Sequence, residues 1–272
     1  MKRLLAVLLC MAACSQDQEA ATAYLSAVQA IGPEGNATDI LNPPDAALGL
    51  HSPLSSLRTT FTALLDPKKV QDLSGQSPQP GRGVAKIIWQ RAAGTVELPL
   101  AAVYNPARTA LGAPAPTVTF TAEPALPAGA VLTLLLEPTR LVNKSAEPYV
   151  GPRQVSLETA PFGVAVPTRV ETVGPDFTPR LIFNSVPASF SADAVTVLGP
   201  SGAVVPIEVI RERTSSLQWV ISPVGEAVPW PAGKHVLRLD STKVTDTYGV
   251  PLSGDVGPWS FTVVDGRDGA AD

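Results

Sequence analysis

Two histidines, 24 acidic residues and two cysteines are the chain's main raw material for acid–base, metal or nucleophilic chemistry. His51 sits in a proline-flanked loop and His235 opens a candidate strand. With no thiol beyond Cys14, a zinc site would need both imidazoles together with carboxylates, and no spacing joins the two. A serine hydrolase of the nucleophile-elbow kind needs Gly-x-Ser-x-Gly to present its hydroxyl on a tight turn. The nearest string, Gly75-Gln-Ser77-Pro-Gln79, lacks the second glycine. Gly81-Arg-Gly83 stops short of any phosphate-cradling glycine pattern. A glycosidase needs two placed carboxylates, and no motif singles out a pair. Asp240, Asp246 and Asp255 bracket loops in the second half of the chain. Calcium takes about six to eight oxygens from a dense acidic loop, and these acids are too sparse. Asp246 reads instead as a turn residue that bonds its own backbone. The expectation is a protein with no catalytic residues, no bound cofactor and no metal ligands.

The one cysteine with a chemical role lies near the start. Lys2 and Arg3 precede an apolar run from Leu4 to Ala13. That run is too short to span a bilayer, which takes about 20 apolar residues, and it fits a secretory leader. Ala12 and Ala13 then precede Cys14. The arrangement resembles the bacterial lipobox, with Met11 where leucine is usual. The resemblance implies cleavage after residue 13, lipid attachment at Cys14 and an envelope address. Ser15 and Gln16 follow, without the aspartate that retains lipoproteins at the inner membrane of enteric bacteria, so the outer membrane is the expected location. Two or more acyl chains would anchor the protein stably. No cysteine follows Cys14, so no disulfide can staple the mature core.

Composition narrows the rest. The chain has 272 residues, 28 of them proline, which argues against a helical bundle. Hydrophobic residues make up 45%, too many for a disordered chain. The net charge of −4 excludes a nucleic-acid protein that works through a strongly basic face. Removing the leader takes away Lys2 and Arg3 and leaves a more acidic body. Such a body would be repelled by an anionic membrane, so the predicted membrane contact is the lipid alone.

Residues 14–56 read as a lipidated tether. Within it Ala21, Tyr24, Leu25, Val28 and Ile31 fall at helical spacing, which predicts a short helix ended by Gly32-Pro33. Beyond residue 56 the pattern becomes period-two alternation between turn signals, predicting strands over 57–65, 84–91, 95–103, 117–122, 130–137 and 154–159. The same pattern runs through Leu181 and Phe183, Val195 and Val197, Ile207 and Val209, Trp219 and Ile221, Leu237 and Leu239, then Phe261 and Val263. An all-β, sandwich architecture follows. Pro99 and Pro206 should fall at sheet edges or bulges.

The halves repeat each other. Pro127-Ala-Gly129 and Pro231-Ala-Gly233 each lead into a strand, and each lies 30 residues before a closing-strand hydrophobe, Leu157 or Phe261. Phe61 to Pro127 spans 66 residues and Phe183 to Pro231 spans 48, so the first half carries about 18 more, assigned to the polar stretch Gln71–Gly83. Val244-Thr-Asp246-Thr-Tyr-Gly249-Val-Pro-Leu252 follows the second Pro-Ala-Gly, and Trp259-Ser-Phe261 closes the half. Each half resembles the bacterial Ig-like domain of the S-layer type. In the first half the loop is Leu141-Val-Asn143-Lys-Ser-Ala-Glu-Pro-Tyr149, with asparagine for aspartate and no glycine. The resemblance implies two tandem Ig-like β-sandwiches, at 57–161 and 168–265, with a linker at 162–167 and a tail at 266–272. It implies no shared catalytic residues. The function expected is a non-enzymatic, lipid-anchored envelope protein acting as spacer or interaction surface. The alternative is a binding module for a glycan or surface-protein partner, and an enzyme on this scaffold ranks last.

Overall fold

The computed structural model describes residues 21–42, 49–75, 77–166, 172–225, 228–254 and 256–264. The chain divides into two compact units. The first takes the chain up to Leu126 together with Ala130–Thr159; the second takes Pro127–Gly129 and everything from Ala160. Both are β-sandwich-like, and the only α-helical segment among the described residues is one turn, Pro67–Val70.

The first unit contains β1 (Leu25–Ile31), β2 (Ala37–Asp39), β3 (Leu50–His51), β4 (Ser56–Phe61), β5 (Ala85–Arg91), β6 (Gly94–Pro99), β7 (Ala101–Asn105), β8 (Thr117–Thr121), β9 (Val131–Leu136) and β10 (Gln154–Thr159). They form two five-stranded sheets, β2-β1-β4-β8-β7 and β3-β10-β9-β5-β6. All pairings are antiparallel except β3 with β10. Alternation puts Leu57, Phe61, Val118 and Phe120 of one sheet in the core, with Ile87, Leu132, Leu134 and Leu157 of the other. Burial of these side chains is the main favourable term, since each fully buried large hydrophobe contributes about 1.5–3 kcal/mol.

The second unit contains β11 (Val164–Ala165), β12 (Thr172–Val173), β13 (Arg180–Phe183), β14 (Pro187–Ser189), β15 (Val195–Leu198), β16 (Ile207–Arg211), β17 (Gln218–Pro223), β18 (Gly233–Leu239), β19 (Thr245–Asp246) and β20 (Trp259–Val263). Its sheets are β11-β13-β17-β16 and β12-β20-β18-β15, with a small β14-β19 ladder. The order matches that of the first unit strand for strand: β1-β4-β8-β7 against β11-β13-β17-β16, and β3-β10-β9-β5 against β12-β20-β18-β15. In both units a two-residue strand lies parallel to the closing strand. The core gathers Phe162, Leu181, Phe183, Val197, Ile221, Leu237 and Phe261.

The equal 30-residue spacing turns out to be the sum of two compensating shifts. Leu132 pairs with Leu157, and His235 pairs with Phe261. Leu132 stands five residues after Pro127, whereas His235 stands four after Pro231. One residue is gained before the strand in the first unit and one between the strands in the second.

Residues 25–39 and 50–51 correct the expectation of a helix or bare tether. They form β1, β2 and β3. A register shift between Leu25 and Ala27 explains the misleading spacing. The bulge places Leu25 and Val28 on the same buried face three residues apart, and alternation resumes at Ala30. The expected linker 162–167 also carries structure, since Phe162 is fully buried and Val164–Ala165 is β11. Pro99 ends the edge strand β6, and Pro206 precedes the edge strand β16.

Candidate functional site

Of the residues singled out for chemistry, the two histidines fall in different units. His51 is buried at the end of β3 in the first unit, and His235 is buried in β18 of the second. Burial pushes the pKa of both imidazoles down. Nδ1 of His235 lies 3.1 Å from the Gly233 carbonyl, and its Nε2 has no hydrogen-bond partner. Asp246 is fully buried, and its Oδ1 accepts from the backbone N–H groups of Tyr248 and Val250. It is a turn residue. Among the described residues, no group of three or more His, Cys, Asp or Glu side chains could hold a metal ion. Cys14 and Asp255 lie outside the described residues.

The site that the structure does build is a polar cleft of about 580 Å³ in the first unit. It exists because of the insertion. Phe61 is joined to Ala85 in the first unit by the stretch that the second unit replaces with the shorter Phe183–Val195 connection. The extra chain begins with the turn Pro67–Val70, capped by Asp66, whose carboxylate accepts from the Lys68 N–H. Proline in its first turn suits a position where an N–H would go unpaired. A small hairpin follows, in which Asp72 and Gln79 exchange both backbone hydrogen bonds, at 3.1 and 2.7 Å. Gly75 turns it with φ +96°, a conformation that favours glycine.

The insertion then lies along the outer edge of β7. Gly81 and Ala102 exchange hydrogen bonds of 2.7 and 2.8 Å, and the Tyr104 N–H donates to the Gln71 side-chain oxygen at 3.3 Å. Gly81 passes so close to the helical turn that a Cβ there would sit 1.8 Å from the Val70 carbonyl oxygen. Only glycine permits that approach.

Three cations, Lys68, Arg82 and Arg140, line the cleft, against two carboxylates, Asp72 and Glu123. Asp72 is committed elsewhere in part: its carboxylate accepts from the Ser74 N–H at 2.7 Å, and hydrogen bonds to Ser74 hold its pKa below the usual value. Arg140 is incompletely satisfied. One Nη donates to the Arg82 carbonyl at a long 3.4 Å, while its Nε is buried without an acceptor. A buried donor left unpaired costs about 1–3 kcal/mol, and more on a charged group. A protein whose net charge is −4 thus gathers a local excess of positive charge in one concavity.

Sequence reasoning placed extra chain at Gln71–Gly83 but did not see a site there. Lys68, Arg82 and Arg140 are far apart in sequence and follow no period. The one available signal was the length difference between the halves. No protein-family model matches this chain, and a comparison with curated proteins finds no relative.

Proposed function

We propose that this protein is a lipid-anchored component of a bacterial envelope, held at the outer membrane by Cys14, whose tandem Ig-like domains of the S-layer type present a non-catalytic interaction surface. The observation that carries the reading is the contrast between the two units. They share one strand order, yet the first carries an insertion that, with neighbouring loops, lines a charged cleft. A pure spacer gains nothing from such a departure.

Two measurements test this. Cys14→Ser should move the protein from the membrane fraction to the soluble fraction; continued membrane association would overturn the anchor. The soluble Cys14→Ser chain, used as bait in envelope extract, should retain a partner at fixed stoichiometry. Retention of nothing would favour the spacer role over the interaction surface.

A further inference from the structure

We infer that the cleft of the first unit binds a small carboxylate-bearing ligand that also offers hydrogen-bond donors. The inference rests on the interaction reading above and names the ligand class of that surface. Lys68, Arg82 and Arg140 supply positive charge from three separate elements around one concavity of about 580 Å³. Arginine recognises carboxylates through a planar fork of donors, which gives charge-assisted hydrogen bonds roughly twice as strong as neutral ones. Arg140 enters with part of that fork unused, since its Nε has no acceptor and its Nη bond to Arg82 is long. An arriving carboxylate would draw the guanidinium toward the cleft and give it the acceptors it lacks.

Two carboxylates accompany these cations. Glu123 and Asp72 line the same cleft and accept hydrogen bonds. They disfavour a compact dense anion such as phosphate and favour a ligand in which a carboxylate sits beside ammonium or hydroxyl groups. The hairpin holds this arrangement from outside the sandwich, fixed by the Gly81–Ala102 exchange and the Gln71–Tyr104 bond. The second unit has no equivalent segment, so binding is a property of the first unit alone.

Two ligand sources share this chemistry: an acidic sugar, and a free peptide terminus with its amide donors. The test is titration calorimetry on the full Cys14→Ser chain with glucuronate, alanyl-alanine, glucose and inorganic phosphate as probes. Saturable binding of glucuronate or alanyl-alanine, with glucose and phosphate at least tenfold weaker, is expected. Whichever carboxylate binds more tightly identifies the source. Arg140→Gln should weaken that binding at least tenfold while leaving the melting temperature within a degree or two, and Lys234→Gln, in the second unit, should change nothing. Absence of binding by both carboxylates overturns the inference, as does phosphate binding as tightly as either. Unchanged affinity in a folded Arg140→Gln also overturns it. Because the bait experiment reads macromolecular partners, a negative result with these probes is distinguishable from failure of the interaction reading.

Discussion

The imidazole of His235 lies flat against the ring of Phe261, with centroids 5.0 Å apart and an interplanar angle of 8°. Trp230 meets both rings edge-on. The Gly233 carbonyl near Nδ1 fixes the hydrogen there and leaves Nε2 as a bare lone pair in an apolar layer. Leu132 holds the corresponding place in the first unit, where its partner is Leu157. Since burial lowers the pKa of His235 in the folded state, the unfolded chain takes up the proton first. Stability is therefore intact above the ordinary histidine pKa of 6.5 and is lost as pH falls below it. His235→Leu should raise stability by about 1 kcal/mol at neutral pH by removing the unpaired nitrogen, and should flatten the loss of stability below pH 6.5. Denaturant melts at pH 7.5 and 5 check both, and an unaltered pH slope would count against the assignment. His51, also depressed by burial, leaves a residual slope.

Ala146 adopts φ +62°, the only positive φ among the described non-glycine residues, and Gly249 adopts +78° at the matching turn of the second unit. Both turns close with an N–H bond of 3.0 Å back to the carbonyl of Asn143 or Asp246. The glycine that is absent from the first loop's sequence is thus replaced by a residue forced into the same conformation. The left-handed region costs a non-glycine residue about 1–2 kcal/mol. Ala146→Gly should raise the first unit's stability by about 1 kcal/mol and Gly249→Ala should lower the second's by a similar amount. Thermal melts of both variants give the signs, and a destabilised Ala146→Gly would show that the strain is already relieved.

Asn143 and Asp246 open these turns with the same Oδ1 geometry but are not interchangeable. The amide of Asn143 donates to the Glu147 carboxylate at 2.9 Å and to the Ala21 carbonyl at 3.2 Å. Asp246 instead accepts from the Ala128 N–H through Oδ2 at 3.4 Å. Asn143→Asp sets a carboxylate against two acceptors and should destabilise by about 1–3 kcal/mol, with partial recovery toward pH 4 as the introduced carboxyl protonates. Asp246→Asn turns an amide toward the Ala128 N–H and should also destabilise. Urea midpoints at pH 7 and pH 4 separate the two cases.

β1 and β2 supply an inner strand and an edge strand of one sheet, and β3 supplies an edge strand of the other. β4 pairs with β1 over the length of the strand, and β10 pairs with β3. A chain beginning at residue 57 should therefore lose the first unit's cooperative transition while the second unit's remains. Circular dichroism melts combined with limited proteolysis read this directly; an intact two-transition profile would mean that β1 to β3 are dispensable.

The alternating hydrophobes made the strands readable, because period-two burial is imposed by the pleat itself. Val195 and Val197 on β15, or Leu237 and Leu239 on β18, could be assigned to a core face from sequence alone. Local irregularity hid β1, where one bulged residue between Leu25 and Val28 mimicked a helical step. The cleft was hidden for a different reason. Arg140 follows β9, Arg82 ends the insertion and Lys68 sits in the helical turn, so only long-range pairing through Gly81 and Ala102 makes them neighbours. Chain length told where extra material lay, but not that it would fold back over a sheet edge.

That fold-back also shields a sheet edge. β7 is the last strand of its sheet, and unpaired strand borders invite intermolecular zippering. The hairpin occupies the outward amides of Ala102 and Tyr104 through Gly81 and Gln71. Shortening the loop would uncover that border. Related sequences should therefore vary by side-chain replacement on a retained loop, not through its deletion.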